Sequence, residues 1–204
     1  MKTLLKITAG LAGAQGQSAR LADEFVQTWL AQNPDGQVVT RDLSTEPVPH
    51  LTAERFEAFG TPATSRTSAQ HEIVSYSDTL IGELKSADTV VFAVPMYNFS
   101  VPSTLRAYFD HIARANVTFQ YTAEGPKGLI NGKEAFVFIT RGGIYPQAAD
   151  TQTPYIRQFL GFIGITDVRF VHAEGLAMGD AARDKGLAEA RSRIATFAPL
   201  RAVA

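Results

Sequence analysis

The feature that most constrains this chain is an unbroken apolar run, Val90-Val91-Phe92-Ala93-Val94, set between Asp88 and Pro95. It has no polar alternation and is mostly β-branched. That pattern reads as a strand buried on both faces, as in the middle of a parallel sheet. Pro95 has no N–H to give to the ladder, so the strand is expected to stop there. Met96, Tyr97, Asn98 and Phe99 follow, which are large, flat or amide-bearing side chains where a plain connection would use small polar ones. Ligands of an open α/β sheet bind beyond the carboxyl ends of its strands. This loop is therefore the first candidate binding site.

The rest of the chain supplies matching elements. Thr3 to Thr8 reads as a first strand, and Ala9 to Gln17 as a loop bearing Gly10, Gly13 and Gly16. Ser18 is a candidate N-cap for the helix that follows, whose apolar face carries Leu21, Phe25 and Trp29. After an Asn33-Pro34-Asp35-Gly36 turn, Gln37 to Arg41 forms a second strand. Helices are expected around Glu54 to Phe59 and over Gln70 to Lys85. Leu105, Tyr108, Phe109 and Ile112 recur at helical spacing. Thr118 to Ile130 reads as a hairpin-like excursion. Ala135 to Thr140 is a fourth strand, followed directly by Arg141-Gly142-Gly143. Ile156, Phe159, Leu160 and Ile163 mark a helix ending at Gly164. Val168 to His172 is a fifth strand, and Leu187 to Phe197 the last helix.

This β-α alternation, without repeat or linker, predicts one α/β domain over residues 1–204. It implies a doubly wound five-stranded parallel sheet with helices on both faces. The order 2-1-3-4-5 fits, and it brings the loops after strands one and three together at the switch point. The formal net charge of −1 lacks the basic excess of a nucleic-acid binder. No cysteine is present, which excludes disulfides, thiolate metal sites and a cysteine nucleophile, and fits a reducing cytoplasm. The four histidines show no zinc-ligand spacing, so no metal is expected. Lys6 interrupts the short apolar N-terminal stretch, and no segment reaches the ~20 apolar residues of a membrane span. Gly128 to Lys133 imitates a phosphate-binding P-loop, but its spacing is short and Glu134 stands where Ser or Thr is required. Asp42 ends the second strand without the G-x-G-x-x-G loop of a dinucleotide fold, which makes it a turn or capping residue.

A flat, phosphorylated ligand such as FMN suits these loops. The loop from Gly10 to Ser18 presents backbone N–H groups at a helix N-terminus, a setting that holds phosphate without a lysine. Met96, Tyr97 and Phe99 offer apolar contact to a ring, and Asn98 an amide for its edge. Gly142 and Gly143 let the backbone approach closely, and N–H donors there would stabilise negative charge on a reduced ring. The competing reading of this last segment is a glycine-rich turn around a solvated arginine.

The motifs P-M-Y-N-F at 95–99, V-T-F-Q-Y-T at 117–122, G-P-K-G-L at 125–129, R-G-G at 141–143 and F-L-G-F-I-G-I-T-D-V at 159–168 carry a family resemblance. Over essentially its whole length the chain resembles the bacterial FMN-dependent, NAD(P)H-using azoreductases, relatives of quinone reductases within the flavodoxin-like fold. The resemblance implies a homodimer with one FMN per subunit at each interface site. Its cofactor-binding residues would be Ala9, Gly16, Gln17, Ser18, Pro95, Met96, Tyr97, Asn98, Phe99, Thr140, Arg141, Gly142 and Gly143. Tyr121 and Phe162 would line the substrate site, from either subunit. The family often has serines where this chain has Thr8, Ala9 and Gly16, leaving backbone N–H groups a larger share of the phosphate.

The expected reaction is a ping-pong two-electron reduction: flavin N5 accepts hydride from NAD(P)H and passes it to an aromatic azo compound or a quinone. No protein nucleophile or metal is needed, so no residue is named as catalytic. The alternative is a flavodoxin-type electron carrier. Such carriers tend to be shorter and strongly acidic, unlike this chain.

Overall fold

The computed structural model describes residues 1–197. Its strands are β1 (Thr3–Thr8), β2 (Gln37–Asp42), β3 (Thr89–Pro95), β4 (Phe119–Thr122), β5 (Gly125–Gly128), β6 (Glu134–Thr140) and β7 (Asp167–Ala173). Its helices are α1 (Gln17–Gln32), α2 (Ala53–Gly60), α3 (Ser68–Ser86), α4 (Ser103–Ile112), α5 (Gln152–Ile163) and α6 (Asp180–Ala195). The main sheet is parallel throughout, in the order β2-β1-β3-β6-β7. This is the 2-1-3-4-5 order expected, because β4 and β5 form a separate antiparallel hairpin.

The apolar run of β3 divides its side chains between two cores, as the period of two requires. Val90, Phe92 and Val94 pack with Leu80 and Leu84 of α3, Tyr108 and Phe109 of α4, and Ile156 and Leu160 of α5. Val91 and Ala93 face the other layer, where Leu21, Phe25 and Trp29 of α1 meet Leu187, Ala190 and Ile194 of α6. A strand covered this way needs no polar face, which is why its sequence shows none.

Several boundaries differ from the sequence reading. Pro95 belongs to β3, in register with Thr140 of β6. The next residue makes the ladder bond, Met96 N–H to the Thr140 carbonyl at 2.8 Å. α1 starts two residues earlier than expected, with Gly16 in extended conformation as N-cap and no side-chain cap. Ser18 is therefore a buried residue of the first turn, and not the cap. α6 begins at Asp180 and not near Leu187. Its first turns are polar and solvated, so they carry no apolar period to read.

The hairpin is seated by glycine. A Cβ on Gly128 would lie 2.2 Å from the Gly164 nitrogen, and Gly164 caps α5 at φ 109°. Backbone packs on backbone there, and Ile130 N–H reaches the Ile163 carbonyl at 2.8 Å. Among the described residues, no helix is long and apolar enough to cross a membrane.

Candidate cofactor-binding site

Three loops leave the sheet at the same level, after β1, β3 and β6. The first two are joined directly: the Leu11 N–H donates to the Tyr97 hydroxyl at 3.0 Å. Gly10 permits this approach, since a Cβ there would meet the Pro95 ring at 3.2 Å. Gly13 to Gln15 then form one 3-10 turn, and the Gly16 N–H closes it on the Gly13 carbonyl at 3.1 Å. The first bond into α1 is Arg20 N–H to the Gly16 carbonyl at 3.0 Å. Among the described residues, the N–H groups of Gln17, Ser18 and Ala19 have no acceptor. These are the donors that an oxyanion takes up at a helix N-terminus, with the helix dipole behind them.

The second loop is a two-residue turn. Tyr97 and Ser100 exchange N–H to carbonyl bonds at 3.1 and 3.0 Å, and Asn98 and Phe99 between them have φ of 49° and 65°. Asn accepts the left-handed region readily, whereas Phe is strained there by about 1–3 kcal/mol. Phe99 is 65% exposed and stands nearly perpendicular to the Tyr145 ring, with ring centroids 6.2 Å apart. A strained, solvent-facing aromatic marks a position shaped for something other than folding.

The third loop is held by its carbonyls. Those of Arg141, Gly142 and Gly143 accept from Leu176, Ala177 and Gly175 at 3.1, 2.9 and 3.0 Å. The N–H groups of Gly142 and Gly143 have no acceptor among the described residues. The loop thus offers donors to a ligand and keeps its acceptors for the protein.

Gly10, Ala12, Gly16, Gln17, Ser18, Pro95, Met96, Tyr97, Thr140, Arg141, Gly142 and Leu176 enclose a cavity of about 210 Å³ between these loops. At Met96 and Tyr97 it adjoins an open groove of about 730 Å³ that includes Asn98, His50 and Arg106. Unpaired N–H groups thus stand at both α1 and the Gly142-Gly143 turn, with Met96 and Tyr97 between them. That donor pattern fits FMN, which has an anion at one end and a hydrogen-bonding ring edge at the other. Four expected residues lie off the cavity wall: Asn98, which lines the adjoining groove, Phe99, Ala9 and Gly143. Ala9 is buried with its N–H on the Ala93 carbonyl at 3.0 Å. Gly143 sits one residue beyond the wall, against the Tyr145 ring.

The sequence profile of the flavodoxin-like fold matches residues 1–198. This chain belongs to the flavodoxin-like family. Among similar flavodoxin-like proteins is the FMN-dependent NADH:quinone oxidoreductase of Cellvibrio japonicus, 51% identical over 195 residues, covering 95% of this chain and 97% of that one. The protein of the same name from Alcanivorax borkumensis is 50% identical over 192 residues, covering 94% and 97%. Among solved structures, the azoreductase from Bacillus anthracis str. Sterne superposes with a TM-score of 0.88 at 28% identity, covering 97% of this chain and 99% of that one. The FMN-dependent NADH-azoreductase from Bacillus anthracis str. Ames Ancestor, solved with FMN, shares the fold at 24% identity and a TM-score of 0.84, covering 97% and 100%.

In this flavodoxin-like protein the Arg141 side chain is neither solvated nor free for a ligand. It is 2% exposed, and its guanidinium is bonded to Gln152 (3.2 Å), Glu174 (3.0 Å) and Asp150 (2.5 Å). What Arg141 adds to the cavity wall is backbone. Burial would raise the Asp150 carboxyl, but hydrogen bonds from Thr153 and Arg141 outweigh it and hold the group below its ordinary value. His172, bonded to Thr153 at 2.9 Å, is pushed down by burial and then by Arg141.

Tyr121 and Phe162 lie outside the central cavity. Tyr121 is 75% exposed beside a groove of about 380 Å³ with Phe56 and Phe59. Phe162 lines a separate open apolar groove of about 540 Å³ with Tyr155 and Phe159. Phe119 stands between them, 5.6 Å from Tyr121 and 4.3 Å from Phe162 by ring centroids. The sequence reading missed Gln152, Asp150 and Glu174. Nothing in their spacing relates them, because tertiary structure alone brings them to Arg141.

Proposed function

We propose that this chain is an FMN-dependent NADH:quinone oxidoreductase that also reduces aromatic azo compounds, acting as a homodimer with one FMN per subunit. The observation that carries the reading is that unpaired N–H groups from two loops, those of Gln17 and Ser18 and that of Gly142, belong to residues lining one cavity, with the unpaired N–H groups of Ala19 and Gly143 next to them in the chain. Relatives at about half identity, named as NADH:quinone oxidoreductases, support the enzyme over an electron carrier. They also favour NADH as the donor. NADH chemistry makes the cytoplasm the expected compartment.

When bound, FMN supplies two-electron transfer at N5 between NADH and the quinone or azo substrate. The chain's own groups do the rest. The N–H groups of Gln17, Ser18 and Ala19, with the Gln17 and Ser18 side chains, hold the phosphate. Met96, Tyr97, Asn98 and Phe99 seat the ring, beside Pro95 and Thr140. The Gly142 and Gly143 N–H groups would serve its pyrimidine edge and would stabilise negative charge there. No side chain is committed as acid or base; protons come from water or from Tyr121. Phe99, Tyr121 and Leu11 are exposed apolar side chains that a second subunit would cover, bringing Tyr121 and Phe162 to the substrate.

The deciding experiment is an absorbance spectrum of the purified protein, repeated anaerobically after adding NADH and then NADPH. Flavin bands that bleach, and return with benzoquinone or methyl red, are the expected result. Bands that persist with both donors would point to a carrier. A colourless protein that takes up no added FMN would end the flavin reading. Sedimentation of the same sample reads the dimer.

A further inference from the structure

Gln152, the first residue of α5, is fully buried, and its amide serves two different loops. Its Oε1 accepts from Arg141 Nε at 3.2 Å. Its Nε2 donates to the carbonyls of Pro95 and Ser100, each at 3.2 Å. Those carbonyls flank the strained Asn98-Phe99 turn, and Arg141 opens the Gly142-Gly143 turn. We propose that Gln152 is a positioning residue that couples the two loops on either side of the flavin ring, and so sets both FMN affinity and its reduction potential. The inference rests on the FMN reading.

The surrounding bonds make this coupling stiff. Asp150 Oδ1 accepts from the N–H groups of Gln152 and Thr153 at 3.1 and 3.0 Å, and from Arg141 at 2.5 Å. One carboxylate thus fixes the start of α5 against the guanidinium. The Thr151 hydroxyl donates to the Phe99 carbonyl, so all three contacts from α5 to the second loop fall on carbonyls in or beside the turn. Glu174 Oε1 holds Arg141 at 3.0 Å and the Tyr145 N–H at 3.2 Å, closing the far side. Left-handed Phe99 persists only where its surroundings over-determine it. Gln152 and Thr151 supply that constraint. A glutamine that merely filled the core would leave its amide without partners, at a desolvation cost. Here every bond it makes goes to a loop of the cavity.

The test is Gln152→Met, which keeps length and removes both donor and acceptor. FMN release from the holoprotein is read on dilution by recovered flavin fluorescence, and the midpoint potential by dye equilibration. The expected result is an FMN Kd raised about tenfold, or about 1.4 kcal/mol. Reduced FMN is expected to lose about tenfold more affinity than oxidised FMN, a fall of about 30 mV for a two-electron couple. A variant with a lower Tm but wild-type FMN Kd and potential would overturn the proposal, leaving a structural role alone. Should Gln152→Met fail to fold, Thr151→Val decides. That change touches only the exposed bond to Phe99, and it is expected to move both readouts in the same direction by a smaller amount. No movement overturns the proposal. A wild-type protein that binds no FMN removes the functional reading itself, which is a different failure from wild-type binding matched by the variant.

Discussion

Replacing Arg141 by Met separates its two conceivable roles, support of the fold and contact with a ligand. The guanidinium is 2% exposed and bonded to Asp150 at 2.5 Å, Glu174 at 3.0 Å and Gln152 at 3.2 Å. Removing one partner of a buried ion pair strands the other charge, at about 3–5 kcal/mol. Against a total stability of about 5–15 kcal/mol that is a large fraction. At about 2–4 °C per kcal/mol for a chain of this size, Tm should fall by about 6–20 °C. The assay is urea unfolding of the FMN-free protein at pH 7, with thermal melts alongside. Arg141→Met/Asp150→Asn should recover at least about 1 kcal/mol, because the stranded carboxylate is gone. The pH dependence has a fixed sign. Asp150 is held below its ordinary value in the native state. Its pairing therefore stabilises above the unfolded pKa, and that contribution is lost as pH falls through the depressed native pKa. Without Arg141 the Thr153 hydrogen bonds remain but the guanidinium's share of the depression is lost, so the gap between variant and wild type should narrow as pH drops from 7 toward 4. A loss below about 1 kcal/mol combined with abolished FMN binding would refute this reasoning and place the guanidinium on the ligand.

Gln17→Glu should act with opposite signs on the two states. A carboxylate in the first turn of α1 favours the helix dipole by about 0.3–1 kcal/mol in FMN-free protein, yet it repels the phosphate. Urea midpoints should rise slightly while flavin titration shows weaker binding; a tighter complex would contradict the assignment of this helix end. His111 offers a second pH test. It is fully buried between Phe59 and Tyr76, with ring centroids at 5.6 and 5.7 Å, and among the described residues neither ring nitrogen has a hydrogen-bond partner. Burial lowers its pKa, Arg55 and Arg114 lower it further, and the nearby Pro49 carbonyl, outside hydrogen-bond geometry, offsets only part. Below about pH 6.5 the unfolded chain takes a proton that the native ring refuses, so stability falls on acidification. His111→Phe should raise the urea midpoint and flatten its slope between pH 7 and 5, leaving the share due to His172; an unchanged slope would show that His111 does not carry it.

The sheet order was legible because each buried strand writes itself as an apolar run, and α-helical spacing lies between successive runs. The meeting of the Gly10 and Tyr97 loops follows from that order alone. The hairpin was legible from its turn residues, although Gly128 owes its necessity to Gly164, which sequence spacing does not reveal. Side-chain partnerships were not legible. Arg141 stands directly before two glycines in a loop, where a solvated side chain is the ordinary expectation, yet Asp150 and Glu174 arrive from separate loops to bury it. Gln152 looks like any polar residue opening a helix. Ser18 has the right chemistry for a cap, but the turn at Gly13 to Gln15 uses up the chain's approach two residues too early.

The third loop carries a consequence for how its motion is measured. Its carbonyls are pinned to residues 175–177, so the backbone is fixed, while the Gly142 and Gly143 amides themselves are unpaired among the described residues. Deuterium uptake depends on whether the N–H is bonded, and not on whether its neighbours move. These two amides should therefore exchange almost as fast as in an unstructured chain, and then become protected when a ligand accepts from them. Read naively, that would be loop closure. The geometry says instead that the cradle exists beforehand, so binding incurs little ordering entropy there.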